Sequence, residues 1–352
     1  MDNQVSEPTP LLDDLYPFTW TRPVTAIRIG ILTLEEKWRR LLPGGKPAGL
    51  PDNIIPDQAL ARLIKAGSAS PSILSAARTL QYPWEIFQYN ESALADDFDL
   101  LTRDRLSQPI PPSVRTINPD RIFIEEGATL DHTILNASAG PIYIGHNVTV
   151  MEGATIRGPF AACEGSVVKM GARIYGATTL GPYCTAGGEI KNSVLFGYSN
   201  KAHDGYLGDS VIGEWCNLGA GVSNSNLKNN AGTIKVWHQG SGAFIPAGLK
   251  CGLLMGDYSR AAINTSFNTG TVVGPSCNVF GKGLTPTHIP AFTWGFPPAA
   301  DLKAGTGPTA APASSRYRLE SALRDIDNWK KLKNLALTGT EIRTLKHIFD
   351  NL

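Results

Sequence analysis

The stretch IYIGHNVTVMEGATIRGPFAACEGSVVKMGARIYGATTLGPYCTA, residues 142–186, repeats with a period of six. Every sixth residue is aliphatic or small and apolar: Ile144, Val150, Ile156, Ala162, Val168, Ile174, Leu180 and Ala186. A second track of compact residues lies two positions earlier: Ile142, Val148, Ala154, Phe160, Ser166, Ala172, Thr178 and Cys184. A period of six fits neither an amphipathic helix nor a simple alternating strand. Hexapeptide repeats are typical of a parallel β-helix, so we expect a mainly β solenoid.

The repeat divides the chain into segments. Residues 1–115 mix short strands, helices and proline-rich joints, and IRIGILTL at 27–34 is typical of a buried strand or strand and turn. The β-helix is expected over 116–295. A Pro/Ala/Gly-rich linker over 296–315 leads to charged amphipathic helices over 316–352. We expect these last helices to cap the open end of the solenoid, because an exposed coil presents unpaired backbone groups.

Composition narrows the class of protein. The net charge is +1, so no overall field favours nucleic acid or an anionic membrane. No apolar run approaches the roughly 18–20 residues of a membrane span, and MDNQVSEPTPLLDDL lacks the apolar core of a secretory signal. The five cysteines are scattered, which predicts free thiols in a reducing cytoplasm, with Cys184 serving as a small core residue.

Polar residues concentrate at 188–226, where the repeat is interrupted. His203 lies in this segment, and histidine is the natural proton acceptor at neutral pH. Arg173 and Lys191 are eighteen residues apart, so three hexads per coil would stack them on one face, as suits a phosphate or another small anion. The residues alone are equally compatible with a solvated loop histidine and a surface arginine.

Four motifs with family spacing carry a resemblance: EIK at 189–191, KAH at 201–203, YLGD at 206–209 and NLGAG at 217–221. The segment that contains them resembles the acetyltransferase half of the bacterial bifunctional glucosamine-1-phosphate N-acetyltransferase / N-acetylglucosamine-1-phosphate uridylyltransferase family. Nearly the whole chain is similar to a variant group of this family whose members are named sugar nucleotidyltransferases.

The resemblance implies a left-handed parallel β-helix with three hexads per coil, assembled as a homotrimer with sites between subunits. It implies that His203 is the general base of acetyl transfer from acetyl-CoA to an amino-sugar phosphate, with no metal. The residues implied to hold the sugar phosphate are Arg173, Lys191 and Tyr206. Asn217 and Asn226 are implied to contact the sugar near its amine, and Ala220 to contact acetyl-CoA through its backbone.

The chain departs from the family pattern just after Asn226 and in residues 1–40. Leu227 stands where the family has a tyrosine, and a family lysine further on has no clear counterpart, although Lys228 and Lys235 are near. The glycine-rich loop of a uridylyltransferase is absent from residues 1–40, so we expect a reduced nucleotidyltransferase-like domain that needs Mg²⁺ only if it is active. The alternatives are a sugar-1-phosphate nucleotidyltransferase whose solenoid serves assembly, and a non-catalytic solenoid that binds a sugar nucleotide.

Overall fold

The six-residue repeat folds into a parallel β-helix. The computed structural model describes residues 10–70, 73, 76–296 and 316–352. Parallel pairing joins each strand to its counterpart one coil away, for example Phe160 with Ile142 on one side and Thr178 on the other. All sixteen residues of the two sequence tracks are buried in the helix. The prediction of a mainly β solenoid is therefore confirmed.

The coils have three faces. The strands of the first face are Arg115–Ile117, Ile134–Asn136, Thr155–Arg157, Arg173–Tyr175, the first parts of Glu189–Leu195 and Tyr206–Ile212, then Ser223–Asn224 and Ser266–Phe267. The second face comprises Ile122–Ile124, Ile142–Ile144, Phe160–Ala162, Thr178–Leu180, the last parts of the two long strands, Leu253–Met255, Thr271–Val273 and His288–Ile289. The third face comprises Thr129–Leu130, Thr149–Val150, Val167–Val168, Thr185–Ala186, Asn200–Lys201, Asn217–Leu218, Arg260–Ala261 and Asn278–Val279.

The residues before the β-helix form short helices that cover its second face. The helices are α1 (Pro10–Asp14), α2 (Leu34–Leu41), α3 (Gln58–Lys65), α4 (Glu85–Gln88) and α5 (Asn90–Thr102), with a 3₁₀ turn at Val24–Ala26; a second 3₁₀ turn, Pro119–Arg121, joins the first two strands of the β-helix. The predicted strand and turn is an antiparallel pair, Arg28–Ile29 with Leu32–Thr33. Phe18, Ile27 and Ile86 pack against the outward side chains of Val194 and Val211. Burying such side chains stabilises the fold by about 1.5–3 kcal/mol each.

One long insertion projects from the β-helix between the first and second faces. It contains an antiparallel hairpin, Ile234–His238 with Ala243–Gly248. Ile234 and Val236 join the same apolar cluster as Phe18, and the His238 imidazole lies 3.1 Å from the Asp14 carboxylate. The hairpin therefore holds the N-terminal residues against the second face.

The C-terminal helices are α6 (Leu319–Lys331) and α7 (Gly339–Asp350), and α7 begins with the expected capping box of Thr338 and Glu341. They pack on Trp215, Tyr258 and Phe292, which lie on three different coils at the corner between the second and third faces. The expectation that they cap the open end is wrong, because their apolar side chains cover this side of the wall. The predicted linker, apart from Phe296, lies outside the described residues, and the division into domains stays a prediction.

Candidate functional site

A group of polar side chains projects from the middle of the first face. Arg173 pairs with Glu189, and Tyr175 pairs with Lys191 on the same two strands. Neighbouring strands are about 4.8 Å apart, and alternate residues of a strand point to the same side. The coil between the two strands has sixteen residues, so Lys191 lies diagonally from Arg173. The expectation that these two residues stack directly, eighteen residues apart, is wrong, but both side chains do lie on one face.

The Arg173 cation lies beside the Glu189 carboxylate, and the Lys191 cation lies beside the Tyr175 ring. The Arg173 Nε lies 4.0 Å from Glu189 Oε2, and the Tyr175 hydroxyl donates to Glu189 Oε1 at 2.6 Å. This hydrogen bond raises the pKa of Tyr175 to about 12. The Lys191 ammonium lies 5.8 Å from the centre of the Tyr175 ring. Arg173 and Lys191 thus offer two cations to a phosphate, beside the carboxylates of Glu189 and Asp209.

Tyr206 and Asn226 lie beside these cations and contact each other. Asn226 Nδ2 donates to the Tyr206 hydroxyl at 3.0 Å and also to Asp209. Asn192 donates to the other oxygen of Asp209 at 2.6 Å. Burial, and then the charge of Asp209, raises the pKa of Tyr206 to about 12. Because the Tyr206 oxygen accepts from Asn226, its own proton is available to a ligand oxygen.

His203 lies on the corner between the third and first faces, in the four residues 202–205. Its side chain is exposed and forms no hydrogen bond or ion pair with any residue that the structure describes. The neighbouring corner consists only of Gly187 and Gly188, whereas the corner before that has the four residues 169–172. The corner beside His203 on the preceding coil is therefore two residues shorter than the one before it.

The remaining two predicted residues lie further along the wall. Ala220 is exposed on the corner that follows His203, and Gly221 N donates to Asp204 O at 3.0 Å between these corners. Asn217 lies on the third face, where it pairs with Asn200 and Arg260. Within one chain the structure therefore brings together Arg173, Lys191, Tyr206 and Asn226, places His203 and Ala220 at the adjacent corner, and separates Asn217 from them.

The sequence prediction missed three side chains that organise this face. Tyr175 and Asn192 approach the cluster from the strands that carry Arg173 and Lys191, and Asp209 is the buried carboxylate that Asn226 and Asn192 share. The alternation of strands would have pointed to Tyr175, two positions after Arg173. No signal in the sequence places Asp209 there, because its contacts come from different coils. Among the described residues, no group of three or more His, Cys, Asp or Glu could hold a metal ion.

Comparison with known proteins supports the family resemblance that the four motifs indicate. A family model described as "Sugar nucleotidyl transferase" matches residues 8–50. The chain is 31% identical over 106 residues to the "Bifunctional protein GlmU" of Methanocaldococcus jannaschii, a match that covers 30% of this chain and 26% of that protein. The GlmU of Synechococcus elongatus is 28% identical over 156 residues, covering 38% of this chain and 34% of that protein. These matches confirm the resemblance to the bifunctional GlmU family.

Two further similarities concern proteins named as acetyltransferases. The "Uncharacterized acetyltransferase YaiX" of Escherichia coli is 26% identical over 176 residues, covering 47% of this chain and 72% of that protein. The crystal structure of "the polySia specific acetyltransferase NeuO" is 14% identical, covers 62% of this chain and 92% of that chain, and superposes with a TM-score of 0.29. The chain thus spans about a quarter of the first GlmU protein and most of YaiX. Among the described residues, no helix has the length and apolar character needed to cross a bilayer.

Proposed function

We propose that this protein is an acetyl-CoA-dependent N-acetyltransferase that acts on an amino-sugar phosphate of the glucosamine-1-phosphate type. The observation that carries the proposal is the pair of cations Arg173 and Lys191 on the first face, with His203 on the adjacent corner. The GlmU and YaiX similarities support the same class of reaction. Such a reaction would belong to the synthesis of UDP-N-acetylglucosamine or a related sugar nucleotide in the cytoplasm.

In the proposed reaction, the free amine of the sugar attacks the carbonyl carbon of the acetyl thioester. The C–N bond forms, the C–S bond breaks, and the amine proton passes through the His203 imidazole to the departing sulfur, which leaves as the thiol. A positioned base of this kind contributes about 10²–10⁴-fold. Arg173, Lys191 and Tyr206 would hold the phosphate, and this fixes the distance from the amine to His203.

Asn217 and Ala220 enter the proposal through the assembly. Asn217 lies on a different face from the phosphate cluster, so in a homotrimer it would reach the site of a neighbouring subunit. Asn226 would contact the sugar from within the same chain, beside Tyr206. The exposed backbone at Ala220 would lie along the acetyl-CoA arm.

Release of free thiol from acetyl-CoA in the presence of glucosamine-1-phosphate tests the proposed reaction. We expect His203→Ala to lower kcat by about 10²-fold or more while the oligomer stays intact. His132→Ala is the matched control, because His132 is an exposed histidine on an earlier corner between the same two faces. Absence of thiol release with any amino-sugar phosphate, from folded wild-type protein, would exclude the transferase and leave a binding solenoid.

A second candidate activity, sugar-1-phosphate nucleotidyl transfer, is favoured by the family model at residues 8–50. That activity would need Mg²⁺ and a glycine-rich phosphate loop on a strand, and the described residues of 10–115 offer short helices and one antiparallel strand pair. Pyrophosphate release from UTP or dTTP with a sugar phosphate measures it directly. We expect none.

A further inference from the structure

A lysine occupies the inner apolar track of the β-helix. Lys201 pairs with Ala186 of the preceding coil, and Val168 and Leu218 occupy the same track on nearby coils. Its side chain is fully buried, with 0% of its surface exposed. Lysine is almost never fully buried unless its ammonium has partners. A cation at this position therefore requires a structural reason.

The ammonium of Lys201 is directed at the corner that carries His203. Lys201 Nζ donates to the His203 carbonyl at 2.5 Å and lies 3.4 Å from the Gly187 carbonyl. No carboxylate forms an ion pair with it among the described residues. Because burial disfavours the charged form, the pKa of Lys201 falls to about 8. The two carbonyls accept hydrogen bonds from the ammonium, and the charge of Asp204 also favours its charged form.

The His203 carbonyl needs this donor because the corresponding amide of the following coil bonds to Asp204 instead. At other corners, an amide of the following coil satisfies the carbonyl of the second corner residue: Gly171 N donates to Glu152 O at 3.1 Å, and Asn264 N donates to Ala220 O at 2.7 Å. After His203, the corresponding amide, Gly221 N, donates to Asp204 O at 3.0 Å instead. Within the part of the chain that the structure describes, Lys201 is the one donor to the His203 carbonyl.

The two glycines allow the long corner to rest closely on the short one. A Cβ atom at Gly187 would lie 2.4 Å from the Ala202 carbonyl oxygen, and a Cβ atom at Gly188 would lie 2.7 Å from the His203 carbonyl oxygen. Any side chain at either glycine would push residues 202–205 outward. The position of residues 202–205 is therefore fixed by contact with the backbone of the two glycines and by the hydrogen bond from the Lys201 ammonium.

We propose that Lys201 is a positioning residue, whose buried ammonium holds the His203 carbonyl inward and thereby fixes the imidazole beside the first-face cations. This role rests on the proposed acetyl transfer, because it matters for turnover only if His203 is the base. Loss of the donor frees the corner while leaving Arg173, Lys191 and Tyr206 in place. Turnover should then fall more than substrate binding does.

Three variants test the positioning role. Lys201→Met removes the donor but fills the track with a side chain of similar length, and Lys201→Gln keeps a neutral N–H donor. Leu218→Met is the matched control, because it places methionine on the next coil of the same track. We expect kcat to fall by about 100-fold in Lys201→Met, with KM for glucosamine-1-phosphate within about threefold of wild type. Lys201→Gln should be intermediate, and Leu218→Met should match wild type.

Hydrogen–deuterium exchange measures the corner independently of activity. Amides of residues 202–206 should exchange faster in Lys201→Met than in wild type and Leu218→Met, while the strand Arg173–Tyr175 stays unchanged. Unchanged kcat together with unchanged exchange in Lys201→Met would overturn the positioning role, as would an equal loss in Leu218→Met. If wild-type protein lacks transferase activity, the proposed function fails, and the exchange result alone decides whether Lys201 fixes the corner.

Discussion

Lys191 provides a quantitative test of the phosphate site. The perturbation is Lys191→Met, which removes one of the two cations and keeps the length of the aliphatic chain. Lys191 is only partly buried, and its ammonium rests 5.8 Å from the Tyr175 ring centre, so it can turn to a ligand without breaking an ion pair. The variant therefore removes an attraction and leaves no buried charge unpaired.

The magnitude follows from the exposure of the site. Two unit charges 4 Å apart attract by about 1 kcal/mol in bulk water and by about 4 kcal/mol at the lower effective dielectric near a protein surface. The Glu189 carboxylate lies 4.0 Å from Arg173 and offsets part of this attraction. We expect a loss near the lower limit, about 1.4 kcal/mol, which corresponds to a tenfold rise in KM. Since the phosphate is bound equally in the ground and transition states, kcat should be unchanged.

The assay is thiol release at varied glucosamine-1-phosphate and at two salt concentrations. Arg115→Met is the control, because Arg115 lies on the same face as Lys191 but four strands earlier. The three strands between them contain Ile134, Thr155 and Arg173. That separation is roughly 19 Å, and the Debye length at 0.1 M salt is about 10 Å. A fall in kcat with constant KM, or an equal effect of Arg115→Met, would refute the assignment of Lys191 to phosphate binding.

Three further predictions concern stability and reactivity. Asp257→Ala should lower the free energy of unfolding, measured with denaturant, by about 3–5 kcal/mol, because Asp257 is the buried partner of Arg22. Glu35→Ala breaks an exposed ion pair and should lower it by less than about 1 kcal/mol. Burial lowers the pKa of Lys201 from 10.5 to about 8, so between these pH values the unfolded chain binds more protons than the folded protein. The unfolding free energy of wild type, relative to that of Lys201→Met, should therefore rise with pH across this range. All five cysteines are buried, so a thiol reagent should label none of them in the native protein and all of them after denaturation; labelling of native protein would contradict the packing.

The sequence by itself was sufficient for the architecture and for the residue types of the site. A hexad is a local pattern. Over residues 142–186 the same two positions of each hexad face inward, because every strand there is two or three residues long and is followed by a similar turn. Ile144 and its counterparts could therefore be assigned to the core without knowing which strand pairs with which. The KAH and YLGD motifs likewise identified His203 and Tyr206 as candidates.

Only the tertiary structure decided how the coils are aligned and what covers them. One coil has sixteen residues where eighteen were expected, and this difference moves Lys191 diagonally from Arg173 and shortens the corner beside His203. The alignment of the coils also sets the direction of the Lys201 side chain and places Asn217 on a different face from Arg173. The physical reason is that pairing between coils joins residues distant in sequence, so a shortened corner changes neighbours throughout the coil while the local pattern stays almost the same.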